Sequence, residues 1–138
     1  MDRASLEKIY QLNRAISDRE LDQKASEIKF DIPLPYLQFL RLSNGLYSGE
    51  ELVLLEIEEI EVRNNDYEVQ EYLPGYVMVG DNSGGIALVM NSDEDFVYEV
   101  DMGSMDVESM KKSADSLHQL LIDFKGKTLD YRELNSEE

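Results

Sequence analysis

The chain has 138 residues, no cysteine, and 30 Asp and Glu against 13 Lys and Arg, a formal net charge of -17. That length suits one domain with its own core, and the 42% hydrophobic content is too high for a disordered chain. The lack of cysteine excludes disulfides, thiolate metal sites and cysteine nucleophiles, and fits a reducing compartment.

The first third reads as helical. Leu6, Ile9 and Ile16 fall near one stripe of a helix starting around Ser5. Ser17 and Glu20 form a capping box, in which each side chain reaches a free backbone N–H at the helix start. The helix they open carries Leu21, Ala25 and Ile28 on one face. Phe30 to Pro33 breaks the pattern. Pro35 suits the first turn of a short third helix, where a missing N–H costs nothing. Tyr36, Phe39 and Leu40 line its inner face, and Asn44-Gly45 is expected to end it, since glycine accepts the left-handed conformation.

The middle reads as strands. Leu52 to Leu55 is a short apolar run, and Ile57 and Ile60 among glutamates suggest one helical turn. Leu73-Pro74-Gly75 is a turn into a strand at Tyr76 to Val79. Gly80 to Gly85 has loop composition, Ile86 to Met90 is the next strand, and Asn91 to Asp95 turns into Phe96 to Val100. Three strands with short connections predict an antiparallel meander. Ser116 with Gln119 caps a closing helix whose stripe is Leu117, Leu120, Leu121 and Phe124, stopped at Gly126. Asn135 to Glu138 is expected to be a flexible tail. Helices, then a sheet, then a helix packed on it predict an α+β fold.

The charge is concentrated. Acids and bases cancel from Met1 to Gly49, seven of each, and nearly cancel from Lys111 to Glu138. Between Glu50 and Met110 there are 17 acids and a single base, Arg63. Such a field repels nucleic acid and anionic membranes and attracts a basic partner. The competing reading is that it only maintains solubility. No apolar run approaches the roughly 20 residues of a membrane-spanning helix. Met1-Asp2-Arg3-Ala4 opens no apolar leader, so a cytoplasmic location is expected.

The candidate chemical motifs weaken on inspection. Gly80 to Gly85 lacks the Lys and Ser/Thr of a phosphate-binding loop, and a strand rather than a helix follows. Asp93, Glu94 and Asp95 lack the alternating ligands and sixth-position glycine of a calcium loop, and read as a solvated hairpin tip. His118, the only histidine, falls on the polar face of the closing helix and has no partner for a zinc site or catalytic triad. Paired carboxylates could cleave a glycoside, but the chain has no tryptophan and little room for a sugar cleft. No catalytic residue, cofactor or metal site is therefore expected. Tyr67, Tyr72 and Tyr76 flank the acidic centre and suit either a protein interface or packing on the sheet.

One stretch is more specific. Ile32-Pro33-Leu34-Pro35-Tyr36-Leu37-Gln38-Phe39-Leu40, followed by Arg41-Leu42-Ser43-Asn44-Gly45, resembles a hallmark of the SUKH superfamily. That superfamily includes fungal cell-wall-synthesis regulators and many bacterial immunity proteins. Pro74-Gly75 running into Gly80-Asp81, then Gly84-Gly85 before Ile86 to Met90, and Ala114-Asp115-Ser116-Leu117 in the last helix resemble later family features. Leu46, Ile86 and Leu117 depart from the usual pattern. The resemblance implies a single domain over residues 1–138 with its core at about 17–124. It also implies a non-enzymatic bacterial antitoxin that occludes the basic toxic domain, often a nuclease, of a polymorphic or contact-dependent toxin. The alternative it leaves is a regulatory scaffold without a toxin partner. The acids and tyrosines of the charged segment are the expected contact residues: Glu58, Glu61, Asp66, Tyr67, Tyr72, Asp81, Asp93, Glu94 and Asp95.

Overall fold

Alternation of side chains along the chain's apolar runs builds the sheet. In Tyr76-Val77-Met78-Val79, odd positions face one side and even positions the other, so both faces are apolar. The computed structural model describes residues 1–49 and 51–136. Its six strands are β1 (Leu46–Ser48), β2 (Leu52–Leu54), β3 (Tyr76–Asp81), β4 (Ile86–Asn91), β5 (Val97–Asp101) and β6 (Lys111–Ala114). They lie side by side in chain order, each antiparallel to the next. The expected meander is the centre of this sheet, β3 to β5. The outer strands are three or four residues long, too short to show a period of two.

Gly80 lies inside β3, not in the loop expected for it. Pairing with β4 is irregular between Met78 and Gly80, and a Cβ at Gly80 would stand 2.2 Å from the Val53 carbonyl oxygen. Only glycine lets β2 approach this closely.

The helices are α1 (Arg3–Glu7), α2 (Asp18–Ser26), α3 (Leu34–Leu40), α4 (Ile57–Asp66), α5 (Val69–Tyr72) and α6 (Leu129–Ser136), with a π-type segment at Gln119–Asp123. On the first face of the sheet, Leu6, Leu21, Tyr36, Phe39, Leu40, Leu117, Leu120 and Leu121 pack with Leu54, Val77, Val79, Leu88 and Met90. Removing this much apolar surface from water is the main drive to fold. The second face holds a smaller cluster of Val69, Leu73, Met78, Ala87, Val89, Val100 and Met105.

Several expectations shift. The helix expected from Ser5 through Ile16 is only the short α1, capped by Asp2. Ile9 is 39% exposed and Ile16 is buried on an extended stretch. The chain turns so that the Tyr10 hydroxyl can donate to the Leu121 carbonyl, 2.7 Å away. Asn44-Gly45 does not end α3, which stops at Leu40; Gly45 has φ +79° and leads into β1. Ile57 and Ile60 belong to ten helical residues, not one turn. The expected tail is helical through Ser136, and Glu137 and Glu138 lie outside the described residues.

Candidate protein-binding surface

The acidic segment is fixed to the sheet by side-chain amides. In α4, residues 57, 60 and 64 face inward, and the third is an asparagine where an apolar residue would normally stand. Asn64 accepts from the Met78 N–H at 2.8 Å and donates to the Met78 carbonyl at 3.0 Å. It occupies the edge of β3 beyond the end of β2, doing there what a neighbouring strand would do. Gln70 continues this edge, donating to the Tyr76 carbonyl at 2.9 Å and to Asn64 Oδ1 at 3.0 Å. Asn44 anchors the other end of α4. Glu56 at the helix start offers no capping side chain, and Asn44 Oδ1 accepts from the Ile57 N–H at 2.9 Å instead. Neither Asn64 nor Gln70 was singled out by sequence. The signal was a polar residue interrupting the apolar stripe of α4.

The nine expected contact residues separate into two groups. Three are held by hydrogen bonds from the helical part or the β3–β4 loop. Glu58 pairs with Lys24 and accepts from Asn44 Nδ2 at 2.9 Å. Burial opposes its charge, but the hydrogen bonds from Lys24 and Asn44 outweigh this and hold its carboxyl below the usual range. Glu61 accepts from the Lys29 backbone N–H at 3.1 Å, and Asp81, 7% exposed, accepts from the Ser83 N–H. The other six are exposed or half-buried. Asp66 is exposed at the end of α4, Tyr67 is half-buried against the second cluster, and Tyr72 on α5 is 52% exposed. Glu68 and then Glu71 raise the Tyr72 hydroxyl above its usual range by their charge. Asp93 and Asp95 are exposed at the β4–β5 tip, as expected, with Glu94 half-buried between them.

The tip adjoins a row of aromatic rings on the second face. Tyr76 of β3 and Tyr98 of β5 meet edge to face with centroids 5.8 Å apart. Phe96 meets Tyr98 at 6.3 Å in the same manner. All three rings are half-buried. The Tyr98 hydroxyl donates to Glu94 at 3.1 Å, and burial followed by Glu94 raises it above its usual range. Lys112 of β6 places its ammonium 4.5 Å from the Phe96 centroid and 2.6 Å from Asp115. Phe96 and Tyr98 were read from sequence only as residues of one strand; Phe96 in fact lies just before β5 and Tyr98 within it.

On the other side of the tip, a cleft of about 490 Å³ lies between α3 and the start of the closing helix, with Pro35, Gln38, Asp95 and His118 among its walls. His118 is exposed, as expected. Among the described residues, no group of three or more His, Asp or Glu is placed to hold a metal ion. Among the same residues, no helix is long and apolar enough to cross a membrane.

No curated protein sequence matches the chain. The model of the SMI1 / KNR4 family (SUKH-1) matches residues 15–123. The match starts just before the cap of α2 and ends with the π-type segment, so it spans the whole sheet, the second apolar cluster and all of the first but Leu6 and Tyr10. With most of its length matched in this way, the chain belongs to the SMI1 / KNR4 family (SUKH-1).

Proposed function

We propose that this chain is a bacterial immunity protein that binds the basic toxic domain of a polymorphic or contact-dependent toxin, a nuclease, and neutralises it one to one. It acts by covering the toxin's phosphate-binding groove in the cytosol, without chemistry of its own. Family membership supports a protein-binding role. The observation that carries the toxin reading is the concentration of 17 acids and one base between residues 50 and 110. The toxin groove must attract phosphates and so carries the opposite charge. Asp66, Tyr67, Tyr72, Asp93, Glu94 and Asp95 belong to the proposed contact surface. Glu58, Glu61 and Asp81 support the helix and loop that carry it.

Co-expression with the cognate toxin domain tests the reading. Cells should survive, and the two chains should elute as an equimolar complex. Association should slow as salt rises, since charges beyond about 8 Å are screened at physiological ionic strength, while dissociation changes less. Lysine at Asp93, Glu94 and Asp95 should slow association. Reversal of Glu7, Asp18 and Glu20 on the charge-balanced N-terminal helices should matter little. Equal protection by both triple variants, with a salt-independent association rate, would show that the acids serve only solubility.

A further inference from the structure

The second face of the sheet already contains one cation recognised by a ring and a carboxylate. Lys112 lies over Phe96 at 4.5 Å while Asp115 takes its charge at 2.6 Å. Next to it, Tyr98 and Glu94 repeat the pairing of ring and carboxylate, joined by their 3.1 Å hydrogen bond. Here the cation is missing: among the described residues, Asp93, Glu94 and Asp95 make no ion pair. Tyr76 extends the row, half-buried beside Tyr98. α5 covers the adjoining part of this face through Val69 and Leu73, and Met105 covers the part over Ala87 and Val100. Tyr76 and Tyr98, in edge-to-face contact at the tip end, each keep part of their surface in solvent.

We infer that the Tyr76–Tyr98 pair with Glu94 is the centre of the partner interface and receives an arginine side chain of a basic protein surface. The inference deepens the proposed function and rests on it for the partner's charge. Arginine fits better than lysine because its planar guanidinium stacks on a ring and presents two N–H groups to a carboxylate at once. Asp93 and Asp95 at the rim draw the basic surface in, and the rings supply rigid apolar area at the centre. The arrangement separates the two roles: rim charges set the approach, and the ring pair sets how long the partner stays.

An acetylated, amidated hexa-arginine peptide tests the surface without the toxin. Aromatic NMR signals of protein labelled at Tyr and Phe should move on titration, most at Tyr76 and Tyr98. Hexa-lysine should bind more weakly. Glu94→Gln, which leaves the rings in place, should weaken hexa-arginine binding by about fivefold, and Tyr98→Leu by at least as much. Dispersed amide spectra check that both variants fold. Glu7→Gln, on the charge-balanced N-terminal helices, should bind as the parent does. The inference is overturned if no ring signal moves, if the largest shifts lie at Tyr67 and Tyr72 instead, or if Glu94→Gln binds unchanged. The peptide decides the surface and co-expression decides the immunity reading, so each can fail without the other.

Discussion

Replacing Asn64 by Leu tests the idea that a side-chain amide stands in for a strand at the edge of β3. Asn64 is fully buried, and leucine has the same branching and number of side-chain heavy atoms, so the change removes the hydrogen bonds while keeping the outline of the side chain. It leaves the Met78 N–H and carbonyl, held at 2.8 and 3.0 Å, without their partner. Each buried unsatisfied group costs about 1–3 kcal/mol, and the added apolar burial returns about 1 to 2 kcal/mol. The net loss should be about 2–4 kcal/mol, or a melting temperature lower by roughly 10 °C at this chain length. Urea and thermal unfolding followed by circular dichroism measure it, and hydrogen exchange at the Met78 amide localises it. Asn64→Asp should be harmful in a different way. It still accepts from the Met78 N–H but turns a carboxylate toward the Met78 and Ile60 carbonyls, so acidification, which restores a donor, should recover part of the loss. A loss under about 0.5 kcal/mol for Asn64→Leu, with the Met78 amide still protected, would refute the reasoning.

Other perturbations probe other joints. Gly45→Val should destabilise by more than about 1 kcal/mol, since its φ is +79° and a Cβ would stand 2.8 Å from the Leu54 carbonyl oxygen; chemical denaturation reads this. Glu58 titrates below the usual carboxyl range because hydrogen bonds from Lys24 and Asn44 overcome the opposing effect of burial. Its contribution is therefore present at neutral pH and lost as pH falls through that lowered value. Lys24→Met should move the NMR titration of Glu58 to higher pH and make stability depend less on pH in that acidic window. Glu99→Ala should loosen α6, because the Glu99 carboxylate accepts from both the Ser113 hydroxyl and the Leu129 N–H. Amides at the start of α6 should exchange faster while those of β3 and β4 keep their protection.

The features legible in the sequence are those decided by neighbours along the chain. Ser17 accepts from the Glu20 N–H and Ser116 from the Gln119 N–H, the first half of each expected capping box. The return half differs: the Glu20 carboxylate is taken by Arg14, and Gln119 Oε1 accepts from the Asp115 N–H. Pro35 opens α3, and the central strands follow their apolar runs. Features decided by distant contacts were not legible. β6 reads Lys-Lys-Ser-Ala and becomes a strand because β5 offers it a partner. Asn44 resembled a helix stop, yet its side chain caps a helix that begins after the next two strands. The same holds for the surface. A charge count found the acidic segment, but only the fold shows which carboxylates are already paired and which stand beside Tyr98.

The sheet order has a consequence for how the chain forms during synthesis. Each strand pairs only with the one before and the one after it. Between β2 and β3 the chain first forms α4 and α5, but the other pairs are hairpins that can close as soon as the second arm leaves the ribosome. Such short-range pairing carries little loop-closure cost and favours rapid folding. A link of much longer range is the bond from Tyr10, just after α1, to the Leu121 carbonyl in the π-type segment, 111 positions away. The sheet can therefore zip progressively, but α1 must wait for nearly the whole chain. A nascent chain stalled before Leu121 should hold a formed meander with an undocked N-terminus, and release should be marked by the burial of Leu6 and Tyr10.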